Sequence, residues 1–445
     1  MSGTRVRPRR DPSSAATGVL SLATERGVTA RYALLAGLQE FAIWLPLPVL
    51  VLHMTDRGIG LALIGMAFAV RAVLVVLLEV PTGGLADAIG RKPVALASQA
   101  ATMTSFAFLL VVTGPVTLLG YALFQGVGAA LHSGALDAWY VDRLKATGPD
   151  VDLQRNLAAI NVAQTAAMLL GAAIGGTLPA LAVGLDLPWP LSGFGVALLA
   201  GLLLRSLVWW LTVVLVVEDD RGPARWADAL TTPAIVRDGL RLAWRIPVMP
   251  WLLFAGGAMG LAMVAIETFW QPIASLTFGA DPATSAVYGA LGFTLGAAGL
   301  LGGLAVMRYG DRFPGGPPAL AAASVVVKAG AMLLLALPLG GLGVALGLAF
   351  GYFSIAVQNV PHDALLNDAI PNERRSILLS VNSLVFFLGI AVGSGVLGPL
   401  AGVAGPRLAL GLGAAFTLAA ALAYVGVLRA RRPADAGVRA TSATR

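Results

Sequence analysis

The sequence predicts an all-α membrane protein, with twelve transmembrane helices arranged as two pseudo-symmetric six-helix bundles. Three observations predict it. The 445 residues are 57% hydrophobic and 12% charged, with a mean hydropathy of +0.82. A soluble domain carries about 25% charged residues. Apolar runs of about 20 residues, the length that crosses a bilayer, recur twelve times along the chain. Local patterns of the first half also return some 220 residues later, as in a chain built from two tandem copies.

In order, residues 1–30 contain Arg, Ser and Ala without the apolar segment of a cleavable signal peptide, and read as a disordered cytoplasmic tail. A first bundle, 31–217, holds spans 1 to 6 at 31–54, 60–82, 93–113, 116–140, 156–182 and 191–217. Glu218, Asp219, Asp220 and Gly222-Pro223 close span 6 and open a linker, 218–248. Within it Ile235, Leu240, Leu242 and Trp244 stand among Arg237, Arg241 and Arg245, an amphipathic helix suited to the inner leaflet. A second bundle, 249–428, holds spans 7 to 12 at 249–276, 286–307, 317–337, 339–362, 376–400 and 406–428. Residues 429–445 read as a second disordered cytoplasmic tail.

A net charge of +7 invites a nucleic-acid partner, but the placement of the cations argues against one. Of 30 Lys and Arg, 25 fall in the tails, the linker and the loops of one face, and only Arg57 and Arg407 fall in loops of the other. The positive-inside rule then puts both termini in the cytoplasm, which requires an even number of spans. The expected location is the cell membrane. With no cysteine the chain has no disulfide, thiolate metal site or cysteine nucleophile.

Four pairs of patterns carry the duplication. Gly83, Gly90 and Lys92, in the loop after span 2, are matched in register by Gly303, Gly310 and Arg312 after span 8. Trp44-x-Pro46 in span 1 answers Trp270-x-Pro272 in span 7, and Asp137-Ala138-x-x-x-Asp142 answers Asp363-Ala364-x-x-x-Asp368. Gly171-x-x-x-Gly175 answers Gly389-x-x-x-Gly393, where small residues let helices approach closely.

The loop Gly83-x-Leu85-Ala86-Asp87-x-x-Gly90-Arg91-Lys92 resembles the signature between helices 2 and 3 of the major facilitator superfamily. The resemblance covers roughly residues 31 to 428 and implies alternating access around a central path. It also implies a conformational latch made by Asp87, Arg91 and Lys92 with Asp137 and Asp142 at the inner face. The second copy is degraded: Met307 replaces the acid, and Arg308, Asp311 and Arg312 stand beside Asp363 and Asp368. Within the family the chain is most similar to drug:proton antiporters of the tetracycline and macrolide efflux kind, through Gln125-Gly126 and the Ser133–Ala138 stretch of span 4. It departs from them at Ala122, where many carry an Arg, and at Gly176, which interrupts their glycine–proline motif.

An ionisable side chain at the bilayer centre costs roughly 2.5–3.5 kcal/mol on insertion scales, so each one needs a reason. Glu40 lies four residues before Trp44 and Glu267 three before Trp270, at nearly equivalent places on the two helices that line the cavity in the resembled fold. A carboxylate in an apolar wall can load and release a proton near neutral pH, so both are candidates for proton coupling and for attracting a cationic substrate. Arg71 and Glu79, two turns apart on span 2, could pair across to a neighbour or take part in coupling. Arg205 and Lys328, in the peripheral spans 6 and 9, read as snorkelling or locally paired.

Candidate cavity groups are Gln39, Gln125, Asn161, Gln164, Gln271, Gln358 and Asn382, with aromatic faces from Trp44, Trp139, Trp270 and Tyr352. Acidic, polar and aromatic walls suit an amphipathic, often cationic, molecule. Gly393-Ser394-Gly395-x-x-Gly398 mimics a dinucleotide fingerprint but lies inside a membrane run, and no nucleotide-binding lysine loop occurs. The expected protein is a monomeric secondary transporter and not an enzyme. Its partners are protons, a small molecule and lipid, with no cofactor, metal or nucleic acid. A metabolite exporter or a proton-symport nutrient importer is the alternative, and a membrane-embedded enzyme or receptor is the one from a different class.

Overall fold

The computed structural model describes residues 20–83, 85–132, 134–149, 151–218, 239–371 and 374–442, and in them only helices and connecting turns. The linker between 219 and 238, both distal tails, Gly84 and Ser133 lie outside the described residues. Among the described residues eleven helices are long and apolar enough to cross a membrane; the shorter helix Pro115–His132, of 18 residues, stands at the place of span 4.

Several boundaries differ from the sequence expectation, each for a local reason. Span 1 starts at Glu25, inside the expected tail, because the Thr24 hydroxyl accepts the Gly27 N–H at 3.1 Å and caps the helix. Its helix stops at Trp44, since Pro46 and Pro48 lack an N–H. The chain passes through a 3₁₀ turn, Leu47–Val49, and resumes as Leu50–Asp56. Span 4 is likewise two helices, Pro115–His132 and Ala135–Lys145, hinged at Gly134 with φ +75°, a conformation glycine adopts without strain. Span 12 runs from Pro406 to Ser442, through most of the expected tail. Residues 434–440 include three alanines and an arginine, and both favour helix.

The remaining spans are the helices Leu61–Gly83, Arg91–Leu110, Leu153–Ala182 and Gly195–Leu215 (2, 3, 5, 6), then Met249–Phe278, Ala286–Tyr309, Gly316–Ala336, Gly340–Ala369 and Arg375–Ala404 (7 to 11). Their packing repeats between halves. Span 1 packs on 5 and 6 as span 7 does on 11 and 12, and span 3 packs on 4 and 6 as span 9 does on 10 and 12. The halves meet along two seams, 2 against 11 and 5 against 8, which the duplication exchanges.

The glycine pairs read from the sequence make the closest of these contacts. A methyl group at Gly175 would collide with the Leu45 carbonyl of span 1, and one at Gly389 with the Gly257 carbonyl of span 7. Large apolar side chains such as Leu77, Val116, Leu342 and Val403 stand exposed on the outer surface, as a lipid-facing wall requires.

Candidate functional site

The start of span 1 and the end of span 12 lie on one face, termed the terminal face; the opposite one is the far face. Between the halves is a cavity of about 250 Å³ lined by spans 1 and 2 of the first half and 7, 8, 10 and 11 of the second. Trp44, Trp270, Tyr352, Phe386 and Phe387 supply aromatic walls, and Glu267 and Arg71 supply the charges. The Tyr352 hydroxyl lies 3.5 Å from Glu267 Oε1. Arg71, on the first half, is the cation whose field acts on Glu267, on the second. One acid and one guanidinium among aromatic faces can hold an amphipathic molecule and exchange a proton with it.

The cavity is sealed on the far side. Gln271 Oε1 accepts the N–H groups of Val51 at 2.8 Å and Leu52 at 3.3 Å, and its Nε2 donates to the Leu47 carbonyl at 2.9 Å. Gly65 abuts Gly398, Gly176 abuts Gly289, and the Ser285 hydroxyl accepts the Ala180 N–H at 3.0 Å. Span 8 carries one glycine stripe at 289, 292, 296, 299 and 303. The first three positions contact span 5, whereas a methyl at Gly299 or Gly303 would meet nothing within 4 Å. Spans 5 and 8 therefore diverge toward the terminal face. Spans 2 and 11 stay tied there by the Ser383 hydroxyl, which donates to Glu79 Oε1 at 2.7 Å.

The other candidates scatter. Glu40 is not among the cavity-lining residues; the cation acting on it is Arg205. The duplication offset explains why: Trp44 and Trp270 differ by 226 but Glu40 and Glu267 by 227, and one residue turns a helix by about 100°. Gln39 and Gln125 line a separate chamber inside the first half. Trp139 donates to the Val217 carbonyl at 2.9 Å near the terminal face. Asn161 and Gln164 on span 5 line neither cavity, and Asn382 lies against Gly256. Gln358 is buried in the second half, where its Oε1 accepts from the Lys328 ammonium and its Nε2 donates to the Tyr424 hydroxyl at 3.1 Å. Spans 9, 10 and 12 close around that network, which keeps Gln358 out of the cavity.

In the signature loop Gly90 has φ +104°. The Glu218 carboxylate accepts the N–H groups of Arg91 at 2.9 Å and Lys92 at 3.1 Å, capping span 3. Arg91 pairs with Asp142 at 2.5 Å, Lys92 donates to the Val213 carbonyl at 2.8 Å, and the Tyr32 hydroxyl donates to Asp137. All of these contacts lie within the first half, so none of them holds the halves together. The side chain of Asp87 lies outside the described ones. Arg308, Asp311, Arg312, Asp363 and Asp368 are exposed at the terminal ends of spans 8 and 10.

Two residues have surroundings that the sequence left open. Arg205 is 9% exposed and lies over the Phe106 ring, so of its two expected readings the local partner fits and snorkelling does not. It shares a face with Gly201, Val208 and Thr212, small or modest residues at helical spacing, a signal that could have placed it inside. Gln271 lines the cavity but acts mainly on backbone, which nothing in its own neighbourhood of sequence indicates.

The sequence profile described as the Major Facilitator Superfamily matches residues 32–365. No curated protein sequence matches the chain. Among solved structures, the nucleoside transporter NupG superposes with a TM-score of 0.71 at 16% identity, covering 90% of this chain and 99% of its own. A POT family transporter in complex with 5-aminolevulinic acid gives 0.64 at 12%, covering 88% and 94%. The human organic anion transporter MFSD10 gives 0.56 at 20%, covering 90% and 99%. Likeness at these identities concerns the fold.

Proposed function

We propose, from the premise that the chain belongs to the Major Facilitator Superfamily, that this membrane transporter couples proton movement to efflux of amphipathic small molecules through Glu267. The carrying observation is that Glu267 and Arg71 belong to different halves and line one cavity. When Glu267 is ionised, its attraction to Arg71 favours approach of the halves across the cavity. A proton on Glu267 cancels that attraction and leaves Arg71 and the aromatic faces free for another arrangement. One acid thus links protonation to the domain motion that alternating access needs.

The basic surplus supports a cytoplasmic terminal face, and on that reading the splayed seam of spans 5 and 8 would admit substrate from inside. A proton returning from outside would then discharge it. Each pH unit supplies about 1.4 kcal/mol, which sustains roughly a tenfold gradient of a monovalent substrate. The wall carries both signs of charge, so the aromatic surface selects an amphipath and the charges orient it; a substrate need not be cationic. On the same reading the loop contacts of Arg91 and Lys92 stiffen the first half as a body that rocks against the second.

The experiment is a pH-jump assay in everted vesicles loaded with a pH-quenched dye. A panel of amphipathic compounds should release quenching in wild type and not in Glu267→Gln. Release of equal size in the variant removes Glu267 from the mechanism. Uptake in the reverse direction turns the reading toward proton symport.

A further inference from the structure

Inside the first half, between spans 1, 2, 3, 4 and 6, lies a second chamber of about 230 Å³, which meets the central cavity at Arg71. It holds two guanidinium groups, Arg71 and Arg205. Among the described residues neither makes a hydrogen bond or an ion pair with a side chain or carbonyl. Arg205 stacks over Phe106 at 4.3 Å, which leaves its Nε buried without an acceptor. A buried donor without a partner is expensive, and a charged one more so. An acceptor is therefore missing from the protein itself.

The neutral groups around the chamber are biased the same way. The Ser105 hydroxyl lies 2.7 Å from both the Gln125 side-chain oxygen and the Thr102 carbonyl and has one proton for the two; among the described residues the Gln125 amino group makes no bond. Gln39 presents its amide nitrogen, 3.3 Å from a ring nitrogen of His132. The hydroxyl protons of Ser98 and Thr102 go to backbone carbonyls. Among the fully buried side-chain acceptors that line the chamber, Gln99 Oε1 has no donor. Glu40 is the acid whose field reaches Arg205, and no contact joins them.

We propose that this chamber binds an oxyanion, the carboxylate of a small organic acid or of an amphipath's acidic end, held by Arg71 and Arg205 with the amino group of Gln125. Two guanidinium groups can take a carboxylate through charge-assisted bonds of fixed geometry. Because Arg71 also lines the central cavity, a ligand seated here would extend toward the aromatic walls with its apolar end. The proposal rests on the transport reading for its purpose but not for its test, since binding is measured without a gradient.

The test is thermal unfolding of the full chain in detergent with benzoate, with benzamide as its uncharged counterpart, and with sulfate at matched ionic strength. Benzoate should raise the unfolding temperature in a saturable way and benzamide should not. Arg205→Gln should weaken benzoate at least about tenfold, and Arg205→Lys should recover part of it. Gln125→Leu keeps both arginines and should also weaken it, which covers the case in which Arg205→Gln fails to fold. Glu267→Gln should bind benzoate undiminished, so failure of the proton reading leaves this result standing. Sulfate matching benzoate identifies an inorganic anion as the occupant. Equal responses to benzoate and benzamide, or full affinity in both Arg205→Gln and Gln125→Leu, overturn the proposal.

Discussion

Gln271 accepts the backbone N–H of Val51 at 2.8 Å across the boundary between the two halves. Val51 and Leu52 open the helix Leu50–Asp56, and first-turn N–H groups have no acceptor within their own helix. The break that Pro46 and Pro48 impose on span 1 thus creates donors that a side chain of span 7 caps. The far-face seal is in this sense the cap of a broken helix.

Gln271→Leu should therefore loosen the far face. Each buried group left unsatisfied costs roughly 1–3 kcal/mol, enough to shift the population of far-face-open molecules tenfold or more. The chain has no cysteine, so Ile390→Cys on the cavity wall can report directly. Its labelling by an impermeant thiol reagent should rise from the far face and fall from the terminal face. Unchanged labelling would make the Gln271 contacts ornamental.

The contact between Glu79 and Ser383 lies on the opposite side of the cavity and should act in the opposite sense. Ser383→Ala removes a bond to a carboxylate worth about 1.5–3 kcal/mol when the acid is ionised. The same Ile390→Cys reporter should then label faster from the terminal face. A fall in that rate would show that spans 2 and 11 are not held there by this pair.

Glu40 and Glu267 should separate cleanly. Glu40→Gln, outside the cavity lining, should retain most proton-driven transport, whereas Glu267→Gln should lose it. Pairing the variants in one pH-jump assay tests the one-residue rotation between the repeats. Equal loss in both would mean that Glu40 turns into the path during the cycle.

The Lys328–Gln358–Tyr424 network predicts an order of stabilities. Gln358→Leu strands a buried ammonium and should cost about 3 kcal/mol. Lys328→Met removes the charge with its stem and should cost about 1 kcal/mol or less. Thermal unfolding of the two variants in detergent gives the ranking, and a reversed order would mean that the ammonium has another acceptor.

At the signature loop, Glu218→Ala should destabilise more than Asp142→Ala. Glu218 caps two N–H groups of span 3, a role worth about 1 kcal/mol. The side chain of Asp142 is 60% exposed, and solvent reduces such a pair to about 0–1 kcal/mol. Unfolding midpoints of the two variants decide it.

The sequence by itself determined the membrane class, the spans and the duplication, because these rest on run length, hydropathy and repeated small-residue spacings along one chain. Gly171-x-x-x-Gly175 and Gly389-x-x-x-Gly393 lie where spans 1 and 5, and 7 and 11, come closest, since only a missing side chain lets helices approach so near. The tertiary structure alone decided which polar groups share a space. Glu40 and Glu267 look interchangeable in a string of letters, yet one residue of helical rotation sends them to different surroundings. Arg205 likewise acquires its chamber from spans 1 to 4, and the role of Gln271 exists only once two distant proline-broken and intact helices meet. Periodicity is a property of neighbours in sequence; convergence is a property of helices packed from both halves.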